Sequence, residues 1–357
     1  MKIAWVIDNI NVTNGMVHVV IGLSNYFVQN GHSVEITSFY SSETKPFFSI
    51  DPAVKVVNLG KDWRSLSRFG KHALLGTVMR ECDAEIFLTC NEWAGSSAVL
   101  HSKKLKGKLI ITQHLTCDVF TARRRFLNAV LNRFADLHVV LTETDKAFYH
   151  KYGARNVLVV PNANFAEIKP VTQKQKIILG VGTIEPRKGF DLLIEAFSLI
   201  AKEFPNWKLR ILGEGLHRQS LLQRVKDLGL SEQIEMPGAT KQIGEEYANS
   251  SIYALSSRGE GFPLTLVEAM TAKNAVVAFE IPCVKDMLST ESCIAVPCED
   301  ARAFSAALHK MIVDEEFRTK CGEAAFLASQ KYTVKNVGNM WLGLFQKMLD
   351  GMKVQNL

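Results

Sequence analysis

Ile252-Tyr253-Ala254-Leu255-Ser256-Ser257-Arg258-Gly259-Glu260-Gly261-Phe262-Pro263-Leu264-Thr265-Leu266-Val267-Glu268 sets how the rest of the chain is read. A β-rich apolar run ends at Leu255, glycines flank Glu260, and an apolar helical pattern starts beyond Pro263. That order is a strand-to-helix turn, and Pro263 suits the first helical turn. Gly259 and Gly261 let the backbone approach a bound group closely. The N–H groups of Gly261, Phe262 and Leu264, with the positive end of a helix dipole behind them, make a site for a phosphate or a developing anion. Two carboxylates, Glu260 and Glu268, stand beside that site. Carboxylates so placed suit the holding of hydroxyls, which sugars and ribose supply.

Outward from this stretch, strand and helix patterns alternate along nearly the whole chain. Strands are predicted at Ile3–Ile7, Ser33–Phe39, Val54–Val57, Glu85–Leu88, Leu109–Thr112, Leu137–Leu141 and Val157–Val160. The pattern breaks at Pro161, then resumes at Ile177–Gly182, Lys208–Leu212, Ile252–Leu255, Val276–Phe279 and Ile294–Val296. Strands alternating with helices imply parallel sheets built from βαβ units. We therefore expect an α/β protein with a doubly wound domain over residues 1–165 and a second over 166–335. Residues 336–357 form a C-terminal helix expected to pack back on the first domain, with Val337, Met340, Trp341, Leu344, Phe345 and Met348 on one face. Two such domains facing each other would place a ligand crevice at the carboxyl ends of their strands.

Composition narrows the class. The 357 residues are 47% hydrophobic and 22% charged, which excludes a disordered or collagen-like chain. No apolar run approaches the ~18–20 residues of a membrane span. Ile3–Ile7 closes on Asp8, so it reads as a first strand rather than a signal peptide. Seven cysteines without a Cys-x-x-Cys pair read as free thiols in a reducing compartment, and the expected address is the cytoplasm. The net charge of +6 lies wholly in residues 1–165, which also hold seven of the nine histidines. The basic residues cluster as Lys61, Arg64, Arg68 and Lys71, as Lys103, Lys104, Lys106 and Lys108, and as Arg123-Arg124-Arg125. Such clusters fit an anionic membrane surface or an ordinary solvated face. No nucleic-acid-binding module is present.

A second loop, Gly182-Thr183-Ile184-Glu185-Pro186-Arg187-Lys188-Gly189, sets two cations beside a glycine after another strand. Alone it is a common surface turn. With the Glu260 loop it becomes a candidate clamp for a departing diphosphate, where Arg and Lys supply the positive charge. No Asp-x-Asp suggests a bound Mg²⁺ or Mn²⁺, so no metal or other cofactor is expected.

Taken together these residues resemble the retaining, GT-B-fold nucleotide-sugar glycosyltransferases of family 4. The family's Glu, seven residues, Glu signature is matched by Glu260 and Glu268. The resemblance runs through Asn14-Gly15, Gly31-His32-Ser33-Val34, Thr112-Gln113-His114, Ala135-Asp136, Val160-Pro161-Asn162, Lys188-Gly189 and Leu209 to Gly215. It implies that Glu260 contacts the donor sugar and Glu268 the ribose hydroxyls. It further implies that Lys188 with Arg187 binds the diphosphate. Gly261 to Leu264 and the Asn14-Gly15 loop would complete the phosphate pocket, and His114 would lie near the anomeric carbon.

The chain departs from the family pattern at Thr183, where Arg is frequent, at Val17-His18, at Gln113, and at Pro282-Cys283-Val284-Lys285. The activity the resemblance implies is transfer of a hexose or N-acetylhexosamine from a nucleotide-diphosphate sugar, UDP being the expected nucleotide. The acceptor would be a lipid-linked sugar or oligosaccharide in surface-polysaccharide assembly, with the enzyme peripheral on the inner membrane face. A sugar-nucleotide epimerase or hydrolase of the same architecture is one alternative. A non-catalytic subunit that binds sugar nucleotide is another.

Overall fold

The computed structural model describes residues 1–40, 46–60, 65–90, 92–117, 120–169 and 171–352. The chain forms two compact units, Met1–Phe165 together with Tyr332–Leu357, and Ala166–Lys331.

The first unit holds seven strands, β1 (Lys2–Asn9), β2 (Ser33–Tyr40), β3 (Lys55–Asn58), β4 (Ile86–Thr89), β5 (Lys108–Thr112), β6 (Leu137–Val140) and β7 (Val157–Val159). They form one sheet in the order β3-β2-β1-β4-β5-β6-β7, every pairing parallel. The inner strands are buried on both faces, which is why they read as unbroken apolar runs such as Ile86–Leu88. The helices are α1 (Gly15–Gln29), α2 (Arg68–Glu81), α3 (Glu92–His101), α4 (Ala122–Asn132) and α5 (Glu143–Lys151). Because all strands run one way, every loop that follows a strand lies at the same edge of the sheet. Asn14-Gly15 after β1, His114 after β5 and the start of α4 therefore share the carboxyl edge. Lys103, Lys104 and Lys106, which precede β5, lie at the amino edge. The basic clusters that look alike in sequence are thus parted by the length of a strand. Lys61, Trp63 and Arg64 fall outside the described residues, as does the Arg68 side chain.

The second unit opens with β8 (Gln175–Val181) and continues with β9 (Lys208–Leu212), β10 (Ile234–Gly238), β11 (Ser250–Leu255), β12 (Ala275–Phe279) and β13 (Cys293–Val296). The sheet is again parallel, in the order β10-β9-β8-β11-β12-β13. Its helices are α6 (Phe190–Ser198), α7 (Arg218–Asp227), α8 (Ile243–Asn249), α9 (Leu264–Thr271), α10 (Pro282–Met287), α11 (Ala301–Val313) and α12 (Glu315–Ser329). The order reverses between β8 and β11, so the crevice of this sheet opens at their carboxyl ends.

The chain then returns to the first unit as α13 (Val334–Leu349), the expected C-terminal helix. The return starts at Tyr332, ahead of position 336, because Asn164 N–H donates to the Tyr332 carbonyl at 2.8 Å and the Thr333 side chain caps the helix. Gly338 lets α13 lie against the Tyr26 ring of α1, where a Cβ would come within 2.3 Å of a ring carbon. Phe27 and Phe345 meet edge to face at 5.6 Å between centroids. Of the face expected to be buried, Val337, Trp341, Leu344, Phe345 and Met348 are buried, whereas Met340 is exposed. The strand β10 has no counterpart in the periodicity reading. Pro237 masks it, since proline cannot donate to a ladder, but β10 is an edge strand and tolerates the loss.

Candidate active site

The loops after β8 and β11 meet at the point where the second sheet reverses. Gly189 makes the contact possible. Its φ is +64°, and a Cβ there would lie 2.0 Å from the Ser256 carbonyl oxygen. The Ser256 hydroxyl donates to the Lys188 carbonyl at 2.9 Å, and Arg258 N–H donates to the Arg187 carbonyl at 2.8 Å. The Arg258 guanidinium adds a fork to Asp191 and a bond to the Pro186 carbonyl. These links fix the two cations relative to Glu260.

Glu260 is the centre of the arrangement, its side chain only 7% exposed. Lys188 Nζ donates to Oε1 at 2.5 Å, Ser257 Oγ to Oε1 at 2.8 Å, and Arg187 Nη1 to Oε2 at 2.8 Å. Arg187 also donates to the Gly259 carbonyl and, through Nη2, to Glu185 Oε1 at 2.7 Å. Burial acts to raise the Glu260 pKa, but Lys188, Arg187 and their hydrogen bonds outweigh it and hold the carboxyl below its ordinary value. Glu260 is therefore ionised at neutral pH. Thr183, at the position of the absent arginine, is exposed.

Pro263 stands one residue before α9 rather than inside its first turn, and its carbonyl accepts the Leu266 and Val267 amides. The amide of Leu264 opens the helix at its positive end, behind Gly261 and Phe262. Glu268 lies inside α9 and is buried. Burial raises its pKa, and the neighbouring buried Tyr247 of α8 acts in the opposite direction, although its hydroxyl meets no hydrogen-bond partner among the described residues. Ser257 stands inside the quoted stretch and could have been singled out from its distance of three residues to Glu260. Tyr247, 21 positions before Glu268, carries no local signal.

In the first unit, Asn14 caps α1, its Oδ1 accepting the Val17 amide at 2.9 Å, and Gly15 is the exposed first residue of the helix. His114 follows β5. Its Nε2 is 3.0 Å from Thr112 Oγ1, and that hydroxyl gives its hydrogen to the Thr89 carbonyl at 2.9 Å. Thr112 can then only accept from His114, which fixes the Nε2–H tautomer and leaves Nδ1 as an acceptor. Nδ1 is buried and meets no partner among the described residues. Burial lowers the His114 pKa to about 4, so the ring is neutral at pH 7. The preceding Gln113 is pinned by the Tyr149 hydroxyl at 2.5 Å and donates to the Leu115 carbonyl at 2.7 Å. Among the described residues no three His, Cys, Asp or Glu side chains gather so as to hold a metal ion.

A doubly wound sheet with a cationic clamp and helix amides at its switch point belongs to the proteins that bind anionic nucleotides there. The fold is GT-B, as in Anabaena Alr3699/HepE, solved in complex with UDP and glucose. That structure has a TM-score of 0.82 and 17% identity, covering 97% of this chain and 100% of that one. Residues 13–163 match the family model Glycosyltransferase Family 4, and residues 162–327 match Glycosyl transferases group 1. The chain belongs to this family of glycosyltransferases. It is similar to the amylovoran biosynthesis glycosyltransferase AmsD of Erwinia amylovora, 26% identical over 95% of this chain and 98% of that protein. It is also similar to a Campylobacter jejuni enzyme named GalNAc-alpha-(1->4)-GalNAc-alpha-(1->3)-diNAcBac-PP-undecaprenol alpha-1,4-N-acetyl-D-galactosaminyltransferase, 24% identical over 98% of this chain and 99% of that protein. The protein is a glycosyltransferase.

Proposed function

We propose that this enzyme is a retaining transferase that moves a hexose or N-acetylhexosamine from a UDP-sugar to a lipid-linked sugar or oligosaccharide, working peripherally on the inner membrane face. The observation that carries the reading is the meeting of Lys188, Arg187 and Glu260 at the switch point between β8 and β11. As the anomeric C–O bond breaks, negative charge grows on the diphosphate and positive charge on the sugar. Arg187, Lys188 and the amides of Gly261, Phe262 and Leu264 offset the first. Glu260 engages the sugar once the incoming diphosphate shares its cations, and Glu268 holds the ribose. In the first unit, His114 offers a neutral acceptor at Nδ1. With two cations in place, the reaction is proposed to need no metal.

The lipid-linked acceptor is supported by the name of the Campylobacter relative, and UDP by the ligand of the Anabaena structure. A thermal-shift panel of UDP-, GDP- and ADP-sugars tests the donor, since a ligand at 100 times its Kd adds about 2.7 kcal/mol. Stabilisation by UDP-sugars alone, followed by transfer to a polyprenyl-diphosphate-linked sugar, is expected. A response to GDP- or ADP-sugars instead would overturn the donor assignment.

A further inference from the structure

The helix α4 is built inside out. Its inward face carries Asn128 and Asn132, 2% and 1% exposed, and both lie within hydrogen-bond reach of Ser96 on α3. Its outward face carries Phe126 and Leu127, 56% and 51% exposed, followed just past the helix by Phe134 at 60%. Tyr152, also exposed, stands edge-on to Phe126 at 6.0 Å and widens the apolar patch from the end of α5. A surface helix normally shows water its polar side and hides its apolar side. Large side chains turned outward in a contiguous group mark a surface that meets something apolar.

The rim of the patch states the charge of that partner. Arg123 and Arg124 are exposed at the start of α4 and Arg133 at its end, and none pairs with an acidic side chain among the described residues. No acidic residue occurs from Thr121 to Ala135. Arg124 and Arg133 rest over the rings of Phe120 and Phe134, with their charged ends at the edge of the apolar surface. Apolar side chains rimmed by cations are the pattern of a helix that lies in the headgroup region of an anionic bilayer. A protein partner would instead have to supply both an apolar groove and an acidic rim.

We infer that α4 is an interfacial helix, Phe126, Leu127 and Phe134 entering the acyl boundary of an anionic bilayer while Arg123, Arg124 and Arg133 meet its headgroups. The inference rests on the proposed lipid-linked acceptor for its purpose and deepens it. The helix starts at the same edge of the sheet as His114, and the exposed Leu115 stands between them in sequence. An acceptor held by its lipid in the bilayer would then meet the protein at that edge.

The test mixes the full-length protein with phosphatidylcholine vesicles, and with vesicles that also carry phosphatidylglycerol, and measures co-sedimentation. The native protein is expected to bind only the anionic vesicles. Phe126→Ser with Leu127→Ser, and separately Arg123→Glu with Arg124→Glu, should each reduce binding roughly tenfold or more. Leu216→Ser, at a fully exposed leucine of the second unit, should leave it unchanged. Thermal midpoints equal to the native protein's show that the variants fold. No binding to anionic vesicles, or equal binding by the α4 variants, overturns the inference. So does a self-association that these variants abolish without any vesicle binding, because the patch would then cover a second copy. Vesicle binding needs neither donor nor acceptor, so its failure is separable from failure of the transferase reading, which the nucleotide-sugar thermal shift reports.

Discussion

Lys188 Nζ lies 2.5 Å from Glu260 Oε1, joining two residues 72 positions apart in the chain. In this arrangement the cation proposed for the diphosphate and the carboxylate proposed for the sugar neutralise each other. Glu260 has Arg187 and Ser257 as further partners, whereas Lys188 has Glu260. Removing the cation should therefore be felt in stability before any catalysis is measured. Lys188→Met is expected to destabilise the protein by about 2–3 kcal/mol in urea unfolding, because Glu260 keeps only Arg187 as a charged partner. The double variant with Glu260→Gln should recover part of the loss. Additive losses would mean that the pair is not energetically coupled.

The two glutamates should separate in kinetics. Glu260→Gln is expected to cut turnover by orders of magnitude while UDP binds nearly as well. Glu268→Gln is expected to weaken UDP, because one charge-assisted hydrogen bond to ribose, worth about 1.5–3 kcal/mol, becomes neutral. Calorimetry beside transfer rates distinguishes them, and the reverse pattern would exchange the two assignments.

Arg187→Ala should weaken the donor and slow transfer together, since it removes a cation the transition state needs more than the ground state does. It also frees Glu185, whose Oε1 accepts from Arg187 at 2.7 Å. Thr183 is exposed on the same loop, so Thr183→Arg in the Arg187→Ala protein should restore part of the activity. Kinetics unaffected by Arg187→Ala would move the diphosphate elsewhere.

Chelation should leave the rate intact. If Arg187 and Lys188 carry the leaving-group charge, activity assayed in EDTA will equal activity without it. Loss on chelation that Mn²⁺ restores would contradict the metal-free proposal.

Acid should weaken the first unit through its histidines. Burial lowers the pKa of His18 and His114 to about 4 and of His138 to about 3, from an ordinary 6.5. As pH falls below 6.5 the unfolded chain takes up protons that the native rings refuse, so stability declines down to about pH 3–4 and not further from this cause. His138 meets Tyr149 edge to face and only a long contact to Asn132, so Phe should fit there. His138→Phe is expected to make urea stability fall less steeply between pH 6.5 and 4.5. An unchanged slope would show that His138 does not titrate on unfolding.

Much of the site was legible because its loops are short and follow strands directly. Gly189 after Lys188 takes a φ of +64°, and such a local demand is written in consecutive residues, whereas Gly259 has open space where a Cβ would stand. Twelve of the strands could be read from apolar runs, while β10 was lost to Pro237, whose cost depends on being at an edge. Met340 was assigned inward by spacing alone, although the face of α13 that is covered depends on where α1 and β7 lie.

By itself the sequence determined the alternation of strands and helices, the two loops with their cations and glutamates, and membership of the glycosyltransferase family. Each of these rests on near neighbours along the chain. Only the tertiary structure decided that Lys188 and Arg187 bond Glu260, that Tyr247 lies near Glu268, and that Thr112 sets the tautomer of His114. It also decided that Asn128 faces inward and Phe126 outward on α4, the reverse of what their polarity implies. The physical reason is the same throughout. Burial, partner and charge state depend on which strands lie side by side, and a parallel sheet makes neighbours of residues that the sequence keeps far apart.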